Sequence, residues 1–182
     1  MRMTATCLSL CAACMFSALD AGAANAEPIR TPGRFGLGIG AGTIANGLSA
    51  KYFIDKQNAL QFNLGSFGGH GFDNRWHRFG GFGFSMDYLF EMPTIAVAGR
   101  AFELNWNLGA GLGIGFDDDD HDHKDDHYDD YFALAASFVL GLEFDFIPIP
   151  LDIVLEFRPG ILLVPYTDFD PVDFTAHIRV YF

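Results

Sequence analysis

Apolar residues alternate with small or polar ones at a period of two in eight separate stretches of this chain. That is the spacing at which successive side chains of a β-strand fall on opposite faces. The clearest stretch is 102–116. Phe102, Leu104, Trp106, Leu108, Ala110, Leu112, Ile114 and Phe116 share one face, while Glu103, Asn105, Asn107, Gly109, Gly111, Gly113 and Gly115 share the other. Residues 35–42 and 81–88 have the same texture, and 174–182 sets Phe174, Ala176, Ile178, Val180 and Phe182 against Thr175, His177, Arg179 and Tyr181. Turn-like clusters separate the stretches, which predicts strands at about 34–42, 48–54, 59–67, 78–90, 102–116, 131–144, 151–163 and 173–182. The expected fold is all-β. Eight is an even number, so an up-and-down antiparallel meander can close into a barrel with both ends on one side.

Composition decides where such a barrel would sit. Half of the residues are hydrophobic and twenty are Phe, yet no apolar run approaches the roughly 18 to 20 residues of a membrane-spanning helix. A chain this apolar can meet lipid in another way, as a closed barrel whose strands satisfy each other's hydrogen bonds. Alternation also fits a soluble barrel, but there the outer face would be rich in Lys, Glu and Thr. Here the polar face is mostly glycine with Ser, Asn and isolated charges, which suits a narrow lumen, and the other face is bulky Phe, Leu and Ile, which suits lipid. The prediction is an eight-stranded antiparallel transmembrane β-barrel.

With both ends in the periplasm, 55–58 and 145–150 become periplasmic turns and 68–77, 117–130 and 164–172 extracellular loops, the usual short-inside, long-outside asymmetry. Tyr88, Phe90, Phe144, Phe146, Tyr181 and Phe182 are then expected at the periplasmic rim, and Trp76, Tyr131 and Tyr166 at the outer one. Two details fit poorly. Glu91 to Ala101 is long for a periplasmic turn, and Pro159 inside a strand removes a ladder donor, which a bulge at Pro159-Gly160 would accommodate.

The first residues read as an export signal. Arg2 precedes an apolar run from Cys7 to Leu19, and Ala24-Asn25-Ala26 offers a small-x-small cleavage site. Residues 1–26 are read as a signal peptide, 27–33 as a short lead-in and 34–182 as the barrel. A lipoprotein reading is weaker, because bulky Leu10 precedes Cys11 and Cys14 lacks an aliphatic residue three places upstream. Cys7, Cys11 and Cys14 all lie in the signal, so the mature chain is expected to have no disulfide, thiolate metal site or cysteine nucleophile.

Signal peptide, eight strands and the terminal Phe182 together resemble the OmpA/OmpX-like superfamily of small outer-membrane barrels. The segment from Gly141 to Phe144, followed by Pro150 to Pro159, is similar to a hairpin pattern recurring in that group. The resemblance covers most of the mature chain and implies fold and location: the bacterial outer membrane, after cleavage near Ala26. It implies as partners membrane lipid, lipopolysaccharide and the barrel-assembly machinery, which would read the last strand up to Phe182. It carries no catalytic signature and says little about role.

The chemistry expected of the chain sits in two places. Residues 117–130 hold nine Asp, three His and one Lys, and so a net charge of −8. Such a run is a solvated, self-repelling loop. It is also a donor set for a divalent cation, with Asp118, Asp120, His121, His123, Asp126 and His127 as candidate ligands and no other cofactor expected. The spacing is not that of an EF-hand, since the sixth position lacks glycine and the twelfth lacks glutamate. The second place is the lumen, where Lys51, Asp87, Glu103, Glu143, Asp152, Glu156, Arg158, His177 and Arg179 should point inward. Charges confined there should pair, Arg158 and Arg179 with Glu156, Glu143 or Asp152.

No enzyme is expected. Ser66, His70, Asp73 and His77 lie together near an extracellular edge, which keeps a lipid A-modifying hydrolase as an alternative, and a narrow pore is another. The glycine-rich stretches do not form a nucleotide-binding loop, because no G-x-G-x-x-G leads from a strand into a helix. The acidic balance argues against nucleic-acid binding. The expectation is a monomer with a structural or surface-interaction role.

Overall fold

The computed structural model describes residues 28–42, 46–67, 81–116, 132–165 and 167–182. Ten strand segments run in chain order: β1 (Phe35–Ala41), β2 (Asn46–Phe53), β3 (Asn58–Ser66), β4 (Phe82–Ala98), β5 (Phe102–Phe116), β6 (Phe132–Phe146), β7 (Leu151–Phe157), β8 (Gly160–Val164), β9 (Asp168–Asp170) and β10 (Phe174–Tyr181). Each of β1 to β6 pairs antiparallel with its successor, and β10 pairs back onto β1, with Gly36 opposite Tyr181 and Ala41 opposite Ala176. The sheet therefore closes on itself.

The ten segments make eight staves. β7 and β8 both pair with β6, β7 along Leu140–Phe146 and β8 along Leu134–Ser137. They are one stave interrupted at Arg158 and Pro159. Pro159 has no N–H for the ladder, but its carbonyl still accepts from the Phe138 N–H at 3.0 Å. The expected bulge at Pro159-Gly160 is absent: the register runs unchanged from Phe157 opposite Leu140 to Gly160 opposite Ser137, and the one-residue slip comes later, between Leu162 opposite Ala135 and Val164 opposite Leu134. β9 and β10 form the last stave in the same broken manner, β9 against β8 and β10 against β7. The result is a closed eight-stranded antiparallel meander.

Two further stretches depart from expectation. The expected loop 164–172 is partly strand, since Val164 ends β8 and Asp168–Asp170 pair back onto it as β9. Residues 91–98 are not a connection, because β4 continues to Ala98 and turns into β5 through Gly99, Arg100 and Ala101. The register slips between Met92, opposite Trp106, and Ala96, opposite Leu104. Two extra residues at this bulge, next to Pro93, hide the period-two pattern that marks the rest of the strand.

The faces divide as the alternation requires. Outward positions carry exposed large apolar side chains such as Ile39, Met86, Leu112, Leu155 and Phe174, while the charged residues of the same strands are buried inside. Tyr88, Phe90 and Phe182 are exposed at the end that holds Phe35, here called the base, and Phe144 and Phe146 pack beside Phe102 there. Tyr181 is not part of that outer ring. Its parity turns it inward with Arg179, and it is buried. Trp76, Tyr131 and Tyr166 lie outside the described residues, as does the proposed signal peptide.

Candidate functional site

The inner wall is where this sequence concentrates its polar chemistry, and glycine is what gives that chemistry room. A Cβ on Gly36 would lie 2.6 Å from the Tyr181 ring, and one on Gly115 would overlap the Phe67 ring. Gly40 and Gly111 sit under His177 and Asp87 in the same way. At these positions the bare wall is covered by a side chain from elsewhere on the barrel: Tyr181, His177 and Asp87 come from the adjacent strand, and Phe67 from just beyond β3.

Among the described residues, side chains line that space from the base to the far end. At the base, the lead-in 28–34 turns into the barrel mouth. Ile29 is buried with Phe53, Ala59, Leu89, Val139 and Tyr181. Arg30 donates through Nη1 to the Met92 carbonyl (2.7 Å) and through Nη2 to the Trp106 carbonyl (3.2 Å). The same Nη2 pairs with Glu91 at 2.7 Å and Glu143 at 2.9 Å. Lys51 joins the cluster, 2.7 Å from Glu91 and in contact with Glu143, with its ammonium 4.9 Å from the centre of the Phe53 ring. Asn107 donates to Glu143 (2.6 Å) and Asn105 to Asp145 (2.7 Å).

In the middle, Arg179 forks onto Asp152, its Nη2 at 2.9 Å from Oδ2, and Tyr181 donates to that same oxygen at 2.7 Å. Arg179 Nη1 also donates to Gln61 Oε1 at 2.6 Å. The Gln61 amide nitrogen in turn donates to Glu156 (2.9 Å) and Asp87 (3.1 Å), so one neutral side chain links two ionic clusters. Above it, Arg158 meets Asp87 at 2.5 Å and Glu156 at 3.2 Å, and donates to Ser137 at 3.1 Å. His177 Nε2 lies 3.1 Å from Glu156. A small apolar cluster of Phe67, Ala133, Ala135 and Leu162 closes the far end.

The expected inward charges are therefore inward. Lys51, Asp87, Glu143, Asp152, Glu156, Arg158, His177 and Arg179 are all buried, while Glu103 is half-buried at the base. Arg158 and Arg179 pair with Glu156 and Asp152 as anticipated. Arg30, Glu91, Asp145 and Gln61 were not anticipated. Glu91 shares the parity of Asp87, and Asp145 that of Glu143, so carrying β4 and β6 further would have found both. Arg30 lies in no alternating segment, and nothing periodic marks it.

What the arrangement does chemically is hold charge in place. Among the described residues no group of three or more His, Cys, Asp or Glu side chains is placed to hold a metal ion. The candidate ligands Asp118, Asp120, His121, His123, Asp126 and His127 lie outside the described residues, as do His70, Asp73 and His77. Ser66 is exposed, and its hydroxyl lies 3.5 Å from the Asn46 carbonyl. The chain matches no family model, and neither a curated protein nor a solved structure is significantly similar to it.

Proposed function

We propose that this chain is a monomeric outer-membrane β-barrel of the OmpA/OmpX-like kind, with a structural or surface-presenting role. One observation carries the reading: a closed barrel that exposes Phe, Leu, Ile and Met along its wall and buries its Arg, Lys, Asp and Glu inside. Water would penalise that distribution and a bilayer favours it. A filled lumen argues for rigidity over transport, since eight strands enclose a space that side chains can occupy. In this reading the acidic segment 117–130, which joins β5 to β6, faces the outside of the cell. There its carboxylates and imidazoles meet divalent cations and the phosphate-rich lipopolysaccharide those cations bridge.

Heat-modifiable gel mobility of the membrane-extracted protein, with flotation of the folded form alongside lipid vesicles, tests the reading. The folded band should migrate apart from the boiled one and float with vesicles. A protein that stays folded and monodisperse in detergent-free buffer would overturn it.

A further inference from the structure

We propose that the mouth of the barrel base binds the primary ammonium group of a small amine, held between the carboxylates of Glu103 and Asp145. Three observations converge there. The first is register. Glu103 and Asp145 are directly opposite each other on β5 and β6 and share the inner face. Two like charges so placed destabilise a sheet unless a cation lies between them.

The second is an oxygen left over. Asp145 is only 6% exposed, and while its Oδ2 accepts from Asn105, its Oδ1 has no hydrogen-bond donor. The nearest cation, Arg30, stands 3.7 Å from Oδ2 and spends its closer contacts on Glu91 and Glu143. Counting Arg30, the base cluster still sets four carboxylates (Glu91, Glu103, Glu143, Asp145) against two cations (Arg30, Lys51). A buried surplus of that kind calls for a further positive charge.

The third is space. Glu103, Asp145 and the Arg30 side chain form the polar walls of a cavity of about 110 Å³, and Pro28, Ile29, Phe146 and Ile147 supply apolar ones; the surplus of carboxylates over cations leaves room there for a second positive charge beside Arg30. That volume equals roughly four waters at about 30 Å³ each, which fits an ammonium with two or three attached heavy atoms. A metal fits less well: Ca²⁺ takes about six to eight oxygen ligands, and among the described residues no third carboxylate or imidazole converges on the cavity. An ammonium needs only two or three acceptors and tolerates the apolar walls around its methylenes. Ethanolamine has this chemistry, whether free or as a lipid headgroup.

The site rests on the fold and not on membrane insertion, so it can be tested in detergent apart from the location proposed above. Isothermal titration of the full folded protein with ethanolamine should show saturable binding. Glu103→Gln and Asp145→Asn should each weaken it by about tenfold or more, the loss of one charge-assisted hydrogen bond. Tetramethylammonium, which cannot donate, should not compete. Glu103 is half-buried, so Glu103→Gln is the variant that retains the folded gel band if Asp145→Asn does not. Native mass spectrometry from nanodiscs then separates the sources, with retention of phosphatidylethanolamine over phosphatidylcholine marking a headgroup and displacement by free ethanolamine alone marking a soluble amine. No ethanolamine binding, binding unchanged by both substitutions, or equal competition by Ca²⁺ overturns the proposal.

Discussion

At the scale of single residues, the inner wall depends on pairs in which one strand supplies a glycine and its neighbour a large side chain. Gly36→Ala would press a methyl group into the Tyr181 ring, whose hydroxyl is tied to Asp152. The ring cannot swing away without breaking that bond, so the substitution should cost about 1–3 kcal/mol, as overpacking does. Urea-dependent unfolding in lipid vesicles would measure it, and a neutral result would mean that the ring has room to yield. A second residue, Asp55, sets the turn between β2 and β3. Its carboxylate accepts from the Asn58 side chain and from the backbone N–H groups of Gln57 and Asn58. These bonds, the Asn58 side chain's first, hold its pKa below the ordinary aspartate value. A lowered carboxylate pKa contributes stability that is complete above the unfolded value, near about 3.9, and is lost as pH falls through the folded one. The stability gap between the wild type and Asp55→Ala should therefore be constant at neutral pH and close on acidification, a trend that unfolding curves at several pH values would show.

At the scale of elements, adjacent staves are joined on their inner face by ion pairs as well as by backbone ladders. Arg179 on β10 and Asp152 on β7 are opposite in register and both fully buried. Arg179→Met strands the Asp152 charge with only the Tyr181 hydroxyl as donor, and should cost about 3–5 kcal/mol. Adding Asp152→Asn removes the stranded charge and keeps an acceptor for Tyr181, so the double variant should recover most of that loss. A double-mutant cycle with no coupling would show the pair to be energetically silent. Much of this element layout was legible in the sequence, because period-two alternation names both the strand and the face in one reading. Eight staves and the inward charges came from it, whereas the bulge expected at Pro159-Gly160 is absent, since the register there runs on unchanged. It failed where geometry interrupts the period: the bulge after Met92 concealed the end of β4 and with it Glu91. Tyr181 was placed with the rim by its ring, although its parity with Arg179 already pointed it inward. Arg30 was hidden for a different reason, since a segment that inserts from outside the strands has no repeat to betray it.

At the scale of the whole molecule, the lumen is closed in depth. Ile29 and Arg30 fill the base, Phe67 with Ala133, Ala135 and Leu162 fills the far end, and charged residues bridged by Gln61 lie between. Opening one end leaves the rest of the packing in place, so the intact protein, Arg30→Ala and Phe67→Ala should each leave planar bilayers at baseline. The combined variant removes both caps. It also strips a cation from a barrel in which, among the described residues, eight buried carboxylates (Asp87, Glu91, Glu143, Asp145, Asp152, Glu156, Asp170, Asp173) face four Arg and Lys cations (Arg30, Lys51, Arg158, Arg179) and His177. The exposed surplus would draw counter-ions of positive sign into the confined space, where a low-dielectric wall focuses the field. The double variant should therefore pass small currents with cations favoured over anions, readable as the reversal potential in a salt gradient. Conductance of equal size from the intact protein would show that its charged layers part on their own, and anion preference would show that the carboxylates do not govern the lumen field.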